Sequence, residues 1–334
     1  MIKGLAVRRT IAKVLSTVAV LALGTASASL QAQGDTYPSK PIRMVVPFPP
    51  GGAVGLAGRA VGNALTEALK VQVVIDHRPG AGAMLGAENV ARSAPDGYTL
   101  LTAGMSSLAV SPILYKATAR YDPLKDFAPV ILFAQTPGVL AVHPKVPATT
   151  IAQLVQLAKS KPGMTYASSG NGNFQHLIGE LFKNATGVNL VHVPYKGSGP
   201  ALIDAIGGQV DMIFDVVPTA ASPIKAGQLR GIAVTSARRS ELLPDLPTMA
   251  ESGLKDFDLS SWYGIVAPAG TPVEIVNRLN AEILRALKTA ELRTQLMNAG
   301  ATPTGSTPAE FAAHLRLENA RWAEVIRVNQ ITAN

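Results

Sequence analysis

The chain of 334 residues contains no cysteine. That absence removes disulfide frameworks, lipidated cysteines and thiol chemistry. Histidine is scarce: His77, His143, His176, His192 and His314 are scattered, with no i, i+4 pair, so no helical metal-ligand pattern is present and no metal is expected. Aromatic residues make up 5% and charged residues 16% of the chain, and no Lys/Arg stripe argues for nucleic acid. No Gly-x-Ser-x-Gly elbow marks a nucleophile, and no Ser-x-x-Lys stands in a suitable setting. Beyond Gly24 no apolar run is long enough to span a bilayer.

What is present begins with an export signal. Lys3, Arg8, Arg9 and Lys13 form a basic start, Val14 to Gly24 is mostly apolar, and Ala26-Ser27-Ala28 is an A-x-A cleavage site. Residues 1–28 are therefore expected to be removed on export from the cytoplasm. The Arg8-Arg9 pair leaves the choice between the ordinary secretory and twin-arginine routes open. The signal carries four basic residues and no acid, so half of the formal charge of +8 leaves with it. The remaining ~300 residues suffice for two ordinary domains.

Apolar, β-branched runs recur at Ile42–Val46, Val71–Ile75, Tyr98–Thr102, Val130–Phe133, Val139–Val142, Met164–Ala167, Leu190–Val193, Met212–Phe214, Ile232–Thr235 and Gly264–Ala267. Most lack in/out alternation, which favours strands covered on both faces. Helical patterns lie between them at Leu56–Leu69, Ile151–Lys159, Phe174–Thr186 and Ala201–Ile206. The alternation predicts an α/β fold with mostly parallel sheets. Thr150, Thr271 and Thr307 each stand three residues before Glu or Gln, which predicts three N-caps. The last opens a helix to about Arg327, with Phe311, Leu315, Ala320, Trp322 and Val325 as its expected buried stripe.

Ligands of open α/β sheets gather beyond the carboxyl ends of strands. Four loops directly follow strands: Pro47–Gly55, Ala103–Ser107, Ser168–Asn173 and Asp215–Thr219. Glycine backbone feeding a helix N-terminus favours an anion, because free N–H groups and the helix dipole converge there. The first and third loops have this form. Candidate ligand contacts are Phe48, Pro49, Gly51, Gly52 and Ala53, then Ser106 and Ser107, then Ser168, Ser169, Gly170, Asn171 and Asn173. His176, in the first turn after the third loop, either touches ligand or orders the loop. Asp215 either meets a ligand donor or caps its turn, and Trp262 either walls the cleft or belongs to the core. Each loop can also be read as turn chemistry alone. Gly80-Ala81-Gly82-Ala83-Met84-Leu85-Gly86 misses the dinucleotide fingerprint, because Leu85 holds the third glycine's place. A hydrolase would have to combine a serine with His176 or His192 and an acid such as Asp215.

The whole chain from Tyr37 to about Val328 resembles the Bug (Bordetella uptake gene) family of solute-binding receptors, of the tripartite tricarboxylate transporter type. The resemblance is carried by Tyr37–Gly52, Arg78–Gly82, Ala94–Leu100, Tyr121–Phe127, Tyr166–Gly170, His192–Gly197, Gly207–Asp211, Leu246–Thr248 and Ala267–Pro272. It implies a two-lobed, type II periplasmic-binding-protein (Venus-flytrap) fold, each lobe a mostly parallel sheet flanked by helices. Residues 36–137 with 240–334 would form one lobe and 138–239 the other, with crossings near Gln135–Leu140 and Val234–Leu246. It also implies a non-enzymatic, monomeric receptor without a cofactor, which closes on a small organic carboxylate and delivers it to membrane transporter components. The carboxylate would be held largely by backbone N–H groups of Phe48–Ala53 and Ser168–Asn173. Two positions depart from the family: Gly55 stands where an aspartate is usual, and Leu108 where a histidine is frequent. Both replacements suggest an apolar cleft and an aromatic or hydrophobic acid. The rival readings are a secreted α/β hydrolase and a ligand-dependent sensor partner of a signalling protein.

Overall fold

The computed structural model describes residues 37–51, 53–255 and 257–331. The expected signal peptide and Gly52 lie outside the described residues. From Lys40 onward the chain packs as one unit. Strand β1 (Ile42–Val46) pairs in parallel with β2 (Val73–His77) and β3 (Thr99–Gly104). Its run Ile-Arg-Met-Val-Val is almost wholly buried, as a strand covered on both faces requires. Helix α1 (Ala53–Leu69) returns over this sheet on small residues, with Gly58 against Thr102 and Gly62 against Ile75. Helix α2 (Met84–Ala91) follows β2, and a π-turn at Ser106–Val110 runs from β3 into the short helix α3 (Ser111–Leu114).

One strand, β4 (Phe127–Val142), replaces the two expected at Val130–Phe133 and Val139–Val142. Up to Pro137 it pairs antiparallel with β9 (Ser260–Pro268), and from Gly138 onward with β7 (Met212–Val216) and β8 (Arg230–Val234). The switch falls where the ladder lacks ordinary donors. Pro137 has no N–H, and the Gly138 N–H is taken by the Thr235 hydroxyl at 2.8 Å. Gln-Thr-Pro-Gly therefore reads locally as a turn, yet it is the point at which one strand leaves the first sheet for the second.

The second sheet is built from helix α4 (Ile151–Ser160), β5 (Thr165–Ser168), α5 (Phe174–Thr186), β6 (Val191–Pro194), α6 (Ser198–Ile206), β7, α7 (Val217–Lys225) and β8. Here β5 pairs in parallel with β6 and β7. The strand order across both sheets is β2-β1-β3-β9-β4-β7-β5-β6. Each half is thus a mixed sheet rather than a mostly parallel one: three parallel strands flank antiparallel partners, because β4 and β9 carry the chain between halves in opposite directions. The chain leaves β8 at Val234 and rejoins the first sheet at Ser260, and residues between fold partly against the second: Leu243 packs with Val139, Ala220 and Val234.

Helices α8 (Val273–Ala286), α9 (Ala290–Asn298) and α10 (Pro308–Val328) complete the chain, with the short strand β10 (Thr302–Pro303) beside β4. Thr150 caps α4 and Thr307 closes a capping box with Glu310. Thr271 does not cap α8: its hydroxyl turns back to the Pro268 carbonyl at 2.8 Å. The buried stripe of α10 contains Glu318 where Ala320 was expected. Its carboxylate lies on the Leu315–Trp322 face, and Oε2 accepts both the Trp262 and Trp322 indole N–H groups at 3.1 and 2.8 Å.

Candidate functional site

The turn after β1 is braced from behind. The Arg78 N–H donates to the Val46 carbonyl at 2.9 Å, and His77 Nδ1 lies 2.9 Å from the Phe48 carbonyl. Helix α2 approaches so closely that a Cβ on Gly86 would fall 2.8 Å from Pro47 Cβ. The glycine that came one residue late for a nucleotide fingerprint is thus a packing contact. Phe48 is half-buried, and Pro49, Gly51 and Ala53 are exposed at the mouth of the turn.

Ser107 is fully buried. Its hydroxyl donates to the Gly104 carbonyl and accepts from the Gly104 N–H, and its own carbonyl receives the Tyr121 hydroxyl. It clamps the end of β3 and is not open to a ligand; Ser106 beside it is partly exposed. Leu108 is likewise fully buried. Gly55 is buried too, with its missing side chain directed at the His77 imidazole 3.4 Å away. Neither departure from the family pattern therefore lies on an open wall, and the apolar mouth read from them belongs to the core.

The Ser168–Asn173 loop is the most constrained. Ser168 ends β5 fully buried, and Ser169, Gly170, Asn171 and Asn173 emerge progressively. The Tyr195 and Gly197 N–H groups donate to the Ser168 and Ser169 carbonyls at 3.0 and 3.1 Å. The Asn173 side chain donates back to the Ser169 carbonyl at 3.1 Å and makes no cap bond to α5. The first-turn N–H groups of α5 are therefore not used by their own N-cap side chain, which leaves a polar, positive helix end beside glycine backbone. Gly172 adopts φ +70°, and a Cβ there would lie 3.1 Å from Leu114 Cδ1. This loop of the second sheet thus meets α3 of the first.

His176 is 8% exposed, and its Nδ1 accepts the Gly172 N–H at 3.0 Å. That bond ties it to the loop, as the second of its expected roles requires. Asp215 is 1% exposed and spends its carboxylate internally. Oδ1 accepts from Ser198 Oγ, the Val216 N–H and Gln175 Nε2, and Oδ2 from Thr219 Oγ1. Burial pushes its pKa up against those bonds. It ties the starts of α5, α6 and α7 together. Trp262 is fully buried against Phe311 and Glu318, so it is core and not a cleft wall. The polar Ser260-Ser261 before it, which suggested exposure, is the start of β9.

The sequence alone did not single out Gln175 or Ser198, which position Asp215 from the starts of α5 and α6. The hydrolase alternative combined a serine with His176 or His192, and one such pair does meet. Ser168 Oγ lies 2.7 Å from His192 Nε2. That dyad is no hydrolytic triad: Ser168 is buried, His192 is sandwiched between the His176 and Tyr166 rings, and Asp215 is bonded elsewhere. Among the described residues no group of three or more His, Cys, Asp or Glu could hold a metal ion. A cavity of about 840 Å³ lined by Arg78, Met84, Glu88, Arg92 and Arg120 shares no residue with the four loops.

Comparison with known proteins agrees with this architecture. Residues 57–331 match the family described as the tripartite tricarboxylate transporter family receptor. BugT of Bordetella pertussis is 37% identical over 306 residues, covering 91% of this chain and 94% of its own. A solved Rhodopseudomonas palustris protein, Rpa4515 with adipate, shares 37% identity with a TM-score of 0.73, covering 89% of this chain and 99% of its own. A solute-binding protein from Polaromonas shares 27% identity with a TM-score of 0.80, covering 87% and 99%. With a two-lobed sheet pair of this kind and a family match over most of its length, the chain belongs to the tripartite tricarboxylate transporter family of receptors, the Bug proteins.

Proposed function

We propose that this receptor captures a small organic carboxylate between the turn at Phe48–Ala53 and the loop Ser168–Asn173, without chemical turnover. The observation that carries the reading is the start of α5: a Ser/Gly/Asn loop delivers a helix N-terminus whose N–H groups its own N-cap leaves open. Charge-assisted hydrogen bonds from such preorganised donors stabilise a carboxylate strongly. Two solved relatives fit the same chemistry, one with adipate and one, MatC of Rhodopseudomonas palustris, with malate.

The loops contain no Lys or Arg. No counter-ion awaits a further carboxylate there, so it has to stay in water at the far end of an apolar spacer, which favours an aromatic acid or a long aliphatic one over compact, triply charged citrate. Half-buried Phe48 and Leu114 supply apolar surface beside the two loops. Export with cleavage near Ala28 places the monomeric receptor in the periplasm, from which it delivers its acid to membrane transporter components. Thermal-shift and calorimetric titration of the mature protein with benzoate, adipate, malate and citrate tests the ligand class. One-to-one binding with benzoate or adipate above citrate is expected. Citrate above all others would overturn the charge argument, and consumption of an ester or amide that Ser168→Ala abolishes would establish a hydrolase instead.

A further inference from the structure

Tyr166, His192 and His176 form a column of stacked rings beneath the Ser168–Asn173 loop. The Tyr166 and His192 centroids are 4.8 Å apart, and those of His192 and His176 are 4.0 Å apart with planes 5° from parallel. Two hydrogen bonds tie the column to the loop above it. The Gly172 N–H donates to His176 Nδ1 at 3.0 Å, and Ser168 Oγ, which also accepts the Gly170 N–H at 3.2 Å, lies 2.7 Å from His192 Nε2.

We infer that His176 and His192 hold this loop in its anion-receiving shape as a pair of neutral imidazoles, and that proton uptake by His176 unlatches it. The inference rests on the reading of this loop as the carboxylate cradle.

The chemistry follows from donor bookkeeping. A ring nitrogen that accepts an N–H carries no proton, so the His176 proton resides on Nε2, which faces Glu180 Oε1 at 3.8 Å. Protonation puts an N–H at Nδ1, opposite the Gly172 N–H, and the two donors repel. His192 is less sensitive: Ser168 Oγ can donate to Nε2 or accept from it, because its own proton can turn to the Gly170 carbonyl at 3.3 Å. Two charged imidazoles cannot remain stacked at this separation, so the pair disfavours a second proton. The other charged and titratable groups facing the pair are Glu180, which accepts the Tyr166 hydroxyl and Lys183, and Lys183 itself. Burial lowers the pKa of both histidines below 6.5, to about 4 for His192, with Glu180 opposing and Lys183 assisting. The latch is therefore closed at neutral pH and opens in acid.

This reverses the sign that simple electrostatics gives. An imidazolium near an anion site should raise affinity for a carboxylate as pH falls, whereas an unlatched loop lowers it. The test is calorimetric titration of the mature protein with adipate and with benzoate between pH 7.5 and 5. His176→Asn serves as the reference, because its amide oxygen can occupy the place of Nδ1 and cannot be protonated. Wild-type affinity should fall about tenfold further than that of the variant, the worth of one ordinary hydrogen bond. Superimposable profiles, or a rise in acid, would overturn the inference.

A ligand-free measurement separates this idea from the functional reading. In nitrogen-15 spectra of the wild-type mature protein, the His176 Nδ1 signal should report a non-protonated acceptor at pH 7.5. The Gly172 amide should shift or broaden with the same midpoint as that signal. A Gly172 amide indifferent to the titration of His176 would sink the latch whether or not any acid binds. Coincident midpoints with no binding of any acid would leave the latch standing and count against the carboxylate cradle.

Discussion

Thr235→Val isolates the contact that joins both passages between the sheets. Thr235 is fully buried, its hydroxyl accepts the Gly138 N–H at 2.8 Å and donates to the Leu259 carbonyl at 2.6 Å. Its backbone adds Thr235 N–H to Gly138 O and Leu259 N–H to Thr235 O at 2.9 and 2.8 Å. Valine keeps the shape and the β-branch but leaves the Gly138 donor and the Leu259 acceptor without this partner in a dry site. Each buried group so orphaned costs about 1–3 kcal/mol, so the variant should lose about 2–6 kcal/mol. Thr235→Ser keeps the hydroxyl and removes one buried methyl, a loss of about 1 kcal/mol. Urea denaturation followed by circular dichroism measures both, with stability read from the midpoint at unchanged slope. The expected order is wild type, then serine, then valine. Valine at least as stable as serine would show that packing, rather than the bridging hydroxyl, holds the crossing together.

Glu318→Gln should destabilise by about 1–3 kcal/mol. Its amide can present oxygen to the two indoles only by turning an N–H₂ toward Arg321, whose guanidinium now donates to Oε1 at 2.9 Å. Tryptophan fluorescence of the folded variant checks the repacking, and an unchanged denaturation midpoint would refute it. The stability of the mature protein should also fall in acid beyond what its carboxylates explain. His176 and His192 have folded pKa values below 6.5. The unfolded chain therefore takes up their protons first, and their contribution, complete above pH 6.5, is lost as pH falls toward the folded values. Thermal melts of wild type and His176→Asn from pH 7.5 to 4.5 should diverge progressively below pH 6.5, and parallel curves would contradict the assignment.

Local chemistry made much of the fold legible. Ile42–Val46 and Phe174–Thr186 have the limits their patterns indicate. The Thr150 and Thr307 caps follow from residues three positions apart. What escaped the sequence depends on partners distant in the chain. The separate runs Val130–Phe133 and Val139–Val142 are one strand because Thr235, far along the chain, takes up the Gly138 N–H where β4 passes Pro137. Asp215 looked like a ligand contact or a simple cap, and three of its four partners, Gln175, Ser198 and Thr219, come from the starts of three different helices. Trp262 lies in the core although half-buried Ser260 and Ser261 precede it, because Glu318 accepts its indole N–H there. The Ser168–Asn173 loop itself was visible from its glycines. Its support was not, since Ser168, His176 and His192 meet only through the parallel pairing of β5 with β6 and the docking of α5.

The central claim is that a backbone-lined loop, without a basic side chain, gathers one organic acid. Calorimetry with Gly172→Ala tests it most directly. A side chain at φ +70° is strained and would press on Leu114 Cδ1 from 3.1 Å, so the loop must shift while every charged residue of the protein stays in place. The account predicts that the acid preferred by the wild type, benzoate or adipate, binds at least about tenfold more weakly to a variant that remains folded. Unchanged affinity in a folded Gly172→Ala would place the acid elsewhere and contradict the account.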